Sequence, residues 1–230
     1  MTVWQRARGA EQKLERRQAI VTAAWEVFQA MPFQAVTMAQ VAERLGLSKG
    51  TLYLYFKTKE ELFLAVQLEQ VEAWLGDVET DLNPWVGTGD TQGVLGVIRD
   101  SVTPRFSLIR LLAILDSVLE RNVDAEKVHE FNLRLASRLA SVGAKLEACL
   151  PFLRPGEGAR FSLHGQALLI GMLQLADPQP AVERQCAAPG LEAFNLDYLT
   201  EVMEALGLML RGLASREDLA TETAGKGLPD

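Results

Sequence analysis

Apolar residues recur at three- and four-residue steps through most of the chain, which is the period of an amphipathic helix. Ile20, Ala24, Val27, Phe28 and Met31 set the rhythm first and predict a helix over about 11–30, which Pro32 stops. Met38, Val41, Ala42 and Leu45 give a short second helix one apolar face. Thr37 and Gln40 have the spacing of a capping box at its start, and Gly46 suits the left-handed turn that ends it. Ser48 caps a third helix to about Phe56, and Thr58 with Glu61 opens a long fourth one toward Trp74. Beyond a loop at Asn83-Pro84 and 87–90, the pattern predicts helices over about 91–103, 105–121, 124–150, 157–176 and 191–213. Pro104, Pro151, Pro155, Pro178, Pro180 and Pro189 punctuate them. With no strand-like alternation and no repeat, the expected fold class is all-α. A three-helix domain would occupy 1–57, a larger helical bundle 58–215, and a polar tail 216–230.

Two short helices joined by a tight glycine-containing turn have the form of a helix-turn-helix. Burying Ile20, Ala24, Phe28, Val41, Ala42, Leu45, Leu47, Leu52 and Phe56 leaves Ser48, Lys49, Gly50, Thr51, Tyr53 and Tyr55 on the outer face of the third helix. The start of such a helix is what meets base edges in the major groove. Thr37, and Thr58 with Lys59, offer two further helix N-termini, where unsatisfied N–H groups and the positive dipole end favour phosphate oxygens. Charge agrees with this only once it is divided. The chain carries −7 overall, but residues 1–60 carry +4 and the rest −11, a basic quarter on an acidic body. Arg6, Arg8, Lys13, Arg16 and Arg17 form a candidate basic arm, diluted by Glu11 and Glu15.

The stretch from Thr37 to Leu62, TMAQVAERLGLSKGTLYLYFKTKEEL, resembles the DNA-binding signature of TetR-family transcriptional regulators. It matches at Thr37, Ala42, Gly46, Ser48, Gly50, Thr51, Leu52, Tyr53, Phe56, Lys59, Glu60 and Leu62, in register and without gaps. The resemblance implies that Thr37, Tyr53, Tyr55 and Lys59 contact phosphates and that Ser48, Lys49, Gly50 and Thr51 lie nearest the bases. Tyr55 stands where many members carry His, and Pro32 where a Gly often precedes the aromatic, here Phe33. The family further implies a symmetric dimer on a near-palindromic duplex, a repressor's role, and a C-terminal domain that takes a small-molecule effector.

For the dimer, Gly165, Leu168, Leu169 and Met172 on one helix and Leu199, Met203, Leu206 and Leu210 on another are the interface candidates. The alternative is that they fill the protomer's own core. For a hydrophobic or amphipathic effector, Trp74, Phe106, Arg110, Asp116 and His129 are the candidates, with simple core packing as the alternative for the aromatics. His129 and His164 stand without a partner at metal spacing, and no nucleophile–base–orienter set is readable, so neither metal, cofactor nor catalysis is expected. Cys149 and Cys186 lack metal-ligand spacing, no apolar run approaches a membrane span, and the charged N-terminus lacks a signal peptide's apolar core. A reduced, cytoplasmic setting is expected. A helical small-molecule carrier without DNA binding is the alternative function.

Overall fold

The computed structural model describes residues 3–115, 123–176 and 196–216, and within these every regular element is helical. The helices are α1 Val3–Ala30, α2 Met38–Arg44, α3 Lys49–Tyr53, α4 Lys59–Asp81 and α5 Thr91–Val102. They continue as α6 Phe106–Leu115, α7 Ala125–Cys149, α8 Glu157–Ala176 and α9 Tyr198–Ala214. The predicted helix over 105–121 is described as far as Leu115, and residues 116–122, Asp116 among them, lie outside the described residues.

Three boundaries differ from the pattern. Helix α1 begins at Val3 rather than near 11, and its residues 11–19 are all exposed. With nothing buried from 11 to 19 there is no apolar period to read in that stretch, only a run of good helix formers. Helix α3 ends at Tyr53 rather than Phe56, because Leu54 follows as its cap and Leu52 O then accepts from both Tyr55 and Phe56 N–H. Helix α9 starts at Tyr198 rather than 191: the Asp197 carboxylate accepts the Thr200 N–H at 2.9 Å and fixes the N-terminus there. Residues 191–195 lie outside the described residues, as does Cys186.

The chain forms two compact units, one of residues 1–71 with 114–133 and one of 72–113 with 134–230. The first therefore takes in the opening half of α4 as well as the expected 1–57. Its core holds Ile20, Ala24, Phe28, Val41, Ala42, Leu52 and Phe56, with Phe63 added. Phe63 meets Phe28 and Phe33 edge-on, at centroid distances of 5.8 and 5.1 Å. Leu45 and Leu47, expected in this core, are only half-buried. Glu61 pairs with Lys127 within the same unit.

In the second unit, α8 packs between α7 and α9, and α9 also packs on α5. Trp74 is buried, and its indole N–H donates to the Ser101 hydroxyl at 3.0 Å, which in turn donates to Ile98 O at 2.7 Å. Arg134 forks onto Glu72 at 2.6 and 3.0 Å. Cys149 is buried and its thiol donates weakly to Leu82 O at 3.4 Å; burial pushes this thiol's pKa up.

Glu157, in the first turn of α8, is gripped by Arg216 through two bonds of 2.8 Å and by the Arg154 N–H at 2.9 Å. The Arg216 hydrogen bonds, then that of Arg154, hold its carboxyl down to about 2 from an ordinary 4.5. A depressed carboxylate contributes stability that is present above the unfolded value and lost as pH falls through the folded one. Glu157→Gln is therefore expected to lower Tm at neutral pH, and the gap to the parent to close between pH 4.5 and about 2. Parallel thermal melts of both proteins across that range check it.

Candidate nucleic-acid interface

Local hydrogen bonding builds three helix starts within the first unit. At α2, the capping box is complete: Gln40 N–H donates to Thr37 Oγ1 at 3.3 Å, and Gln40 Oε1 accepts the Thr37 N–H at 2.8 Å. At α3, Ser48 Oγ accepts the Thr51 N–H at 3.1 Å and lies 2.8 Å from the Thr51 hydroxyl. At α4, Thr58 Oγ1 accepts the Glu61 N–H at 3.0 Å, and the Glu61 carboxylate accepts the Lys57 N–H at 3.0 Å. Gly46 takes φ +62, the left-handed turn between α2 and α3 that a side chain would strain.

These turns aim α3. Leu52 is fully buried and nails the helix to the domain, while Ser48, Lys49, Gly50 and Tyr53 face outward, Tyr53 at 42% exposure. Lys49 and Tyr53, one turn apart, lie with the ammonium 5.8 Å from the ring centroid. Thr37 is exposed, whereas Thr51, Tyr55 and Thr58 are half-buried. Lys59 departs from a plain phosphate contact. Its Nζ donates to Phe33 O at 2.9 Å and Val36 O at 3.1 Å, over the Phe33 ring at 4.1 Å. Burial lowers its pKa, with Glu60 acting in the opposite sense. At the N-terminal side, Arg17 lies over the Phe56 ring at 5.0 Å, while Lys13 and Arg16 are exposed on α1.

Sequence reasoning passed over Leu54. It caps α3 and is 80% exposed, more than any other large apolar side chain among the described residues. The signal was present in its spacing, four residues after the outward-facing Gly50.

Among the described effector candidates, one is engaged in the core and three are exposed. Trp74 is committed to Ser101, Phe106 is exposed and meets Tyr198 edge-on at 6.3 Å, and Arg110 and His129 are both exposed. A groove of about 320 Å³ lies instead between α5 and α9, over Gly96 and Gly207, with Leu95, Met203, Arg99, Arg211 and Glu204 on its walls. The dimer candidates divide. Gly165, Leu169, Leu206 and Leu210 are buried within the single chain, so the core alternative describes them, while Leu168, Met172, Leu199 and Met203 are half-exposed. An outward ridge of α8 runs through exposed Leu163, Ala167 and Leu175 and half-exposed Gly171 at four-residue steps, and Leu208 stands out on α9. Among the described residues no helix is long and apolar enough to cross a membrane.

The chain is similar to known proteins along both parts. Residues 20–66 match the model described as bacterial regulatory proteins of the tetR family, and residues 68–217 match that described as the tetracyclin repressor-like C-terminal domain. The HTH-type transcriptional regulator RutR of Escherichia coli is 34% identical over 64 residues, 28% of this chain and 30% of that one. The HTH-type transcriptional activator FasR of Mycolicibacterium smegmatis is 40% identical over 68 residues, 30% of this chain and 31% of that one. The chain thus spans under a third of the length of these relatives. A TetR-family regulator from Mesorhizobium loti shares the fold with a TM-score of 0.52 at 15% identity, covering 88% of this chain and 96% of that one. A signature helix-turn-helix with its caps in place, and family matches that together run almost unbroken from 20 to 217, have one reading: the chain belongs to the TetR family of DNA-binding transcriptional regulators.

Proposed function

We propose that this protein is a dimeric repressor that occupies a near-palindromic duplex and is released by a small amphipathic effector. One observation supports the DNA-reading mode above all. Leu52 is fully buried while Ser48, Lys49 and Gly50 face outward from the same two turns, so α3 is anchored on one side and presents its start on the other. That is how a recognition helix is held for insertion into the major groove. The caps of α2 and α4 flank it with N-termini suited to phosphate. The outward ridge Leu163–Ala167–Gly171–Leu175 would pack on a second copy's ridge, small residues letting the two helices approach. Two copies so joined would place their α3 helices on half-sites about one helical turn apart or somewhat more.

The groove between α5 and α9 supports an effector with an acidic head and an apolar body, Arg99 and Arg211 taking the first and Leu95 and Met203 the second. Such a ligand would act by binding one dimer geometry better than another, which is all that release requires. An effector of this chemistry would make the protein a sensor as well as a DNA binder, whereas a pure carrier would leave the outward face of α3 without a use.

Selection of bound duplexes from a random pool, at roughly physiological salt, tests the reading. A palindromic consensus supports it. Recovery of nothing above background, by protein stripped of ligand, favours the carrier alternative, and a reporter activated rather than silenced by the consensus reverses the sign of regulation. Salt gives a finer check. Log affinity should fall linearly with log salt, by about 0.9 per phosphate neutralised. Lys49→Ala, which removes a cation placed nearest the bases, should weaken binding several-fold and flatten that slope by less than one phosphate's worth, with Tm unchanged, since its side chain is exposed.

A further inference from the structure

The outward face of α3 carries two parallel rows of residues one turn apart: Lys49 with Tyr53, and Gly50 with Leu54. The first row is polar and charged. The second is apolar, and it has a shape. A Cβ built on Gly50 would meet only the Ser48 hydroxyl, at 3.8 Å, so the backbone floor there is open. Helical side chains lean toward the N-terminus, which inclines Leu54 along its own row toward that floor. Open backbone at Gly50 and a leucine, 80% exposed, one turn on would together form a shallow notch, the backbone its floor and the leucine its wall. An exposed leucine is ordinary on a protein surface in general. Here it belongs to the outward side of the helix that would read DNA, between Tyr53 and Tyr55 in sequence.

We propose that Leu54 is a specificity residue, and that the Gly50–Leu54 notch takes the C5-methyl group of one thymine in each half-site. This inference rests on α3 being the recognition helix. Among the features displayed in the major groove, the thymine methyl is the apolar one, and aliphatic contact is how proteins read it. Leu54 cannot donate or accept a hydrogen bond, so it contributes nothing to reading amino or carbonyl edges. Its fit to a methyl separates thymine from cytosine, and also from uracil, which shows the same hydrogen-bonding edge without the methyl.

Deoxyuridine scanning tests this. In the selected consensus duplex, each thymine is replaced in turn by deoxyuridine and the dissociation constant measured for the parent, Leu54→Ala and Leu54→Met. Loss of one buried methyl group is worth about fourfold per half-site. The parent should lose about that at one symmetry-related thymine pair; Leu54→Ala should bind the thymine and uracil duplexes equally there, and Leu54→Met should keep most of the discrimination. A parent indifferent to deoxyuridine everywhere overturns the proposal. So does discrimination that survives in Leu54→Ala, or a Leu54→Ala loss spread evenly over all duplexes, which would place the leucine against sugar rather than base. A parent that yields no consensus duplex at all fails earlier: it removes the recognition-helix reading itself, and the notch with it.

Discussion

Gly158→Ala should unfold the second unit or lower its Tm by roughly 10 °C or more, although it replaces the poorer helix former with the best one. Intrinsic propensity favours alanine by about 1 kcal/mol inside a helix. Packing decides the other way. A Cβ on Gly158 would stand 2.1 Å from the carbonyl oxygen of Gly143 and 2.9 Å from its Cα, where α8 crosses α7. The reverse change is no easier: a Cβ on Gly143 would lie 2.3 Å from Ala159 N and 2.7 Å from Ala159 Cα. Both obstacles are backbone, so no rotamer change relieves them and the helices must separate. Prying two packed helices apart opens the core around Val142, Leu146 and Phe161, all buried. Such overpacking belongs to the large tail of single-substitution effects, about 4 kcal/mol or above, and each kcal/mol moves Tm by about 2–4 °C in a chain of this size. Gly96→Ala in α5 is the matched control, since a Cβ there meets nothing within 4 Å. It should leave Tm unchanged or raise it slightly. Melts followed by circular dichroism read both, and a Gly158→Ala protein as stable as the parent would mean that α7 and α8 do not cross this closely.

That crossing is invisible in the sequence, and the reason is general for this chain. What was legible is what is local. Thr37 with Gln40, and Ser48 with Thr51, bond across three residues, so the boundaries of α2 and the start of α3 could be read directly. Asp90 caps α5 in the same way, accepting from Gln92 and Gly93 N–H. The all-helical class followed from period alone. Helix α8 defeats the same reading because it is apolar on more than one face. Leu163, Leu168, Leu169, Met172, Leu173 and Leu175 surround it, and only the packing of α9 and α7 decides that Leu169 and Leu173 turn inward while Leu163 and Leu175 remain outside. The dimer candidates were drawn from both faces for that reason. Trp74 reads from sequence as a ligand contact because an aromatic in a helix looks the same whether its indole meets a ligand or Ser101, 27 residues away. On the outward side of α3 the motif named most of the exposed residues but not Leu54, since a leucine in a helix is read first as core.

Lys59 is the residue for which motif and structure assign different work, and its replacement should show both. Lys59→Ala is expected to lower the stability of the first unit by about 2–3 kcal/mol as well as weaken DNA binding. The ammonium ties the start of α4 to the turn before α2, through Phe33 O at 2.9 Å and Val36 O at 3.1 Å, residues more than twenty positions earlier. Removing it leaves both carbonyls without that donor and strips the cation from the Phe33 face, where it sits at 4.1 Å. The turn it holds leads directly into Thr37 and the capping box of α2, so one of the flanking phosphate sites would lose its placement together with the lysine. An ammonium has three N–H groups and two are engaged here, which leaves one for a phosphate oxygen. Stability and affinity must therefore be measured together. Lys59→Ala should lower Tm and affinity, whereas Lys49→Ala should lower affinity alone, because Lys49 is exposed and its ammonium lies over the Tyr53 ring. Lys59→Arg separates the two roles further: it keeps a charge for phosphate, but its planar fork cannot reproduce the same pair of carbonyl contacts. Affinity retained with a lowered Tm in Lys59→Arg would assign the lysine's charge to DNA and its geometry to the fold. A Lys59→Ala protein that melts with the parent would remove the structural role and return this residue to the motif's simpler reading, a surface cation facing a phosphate.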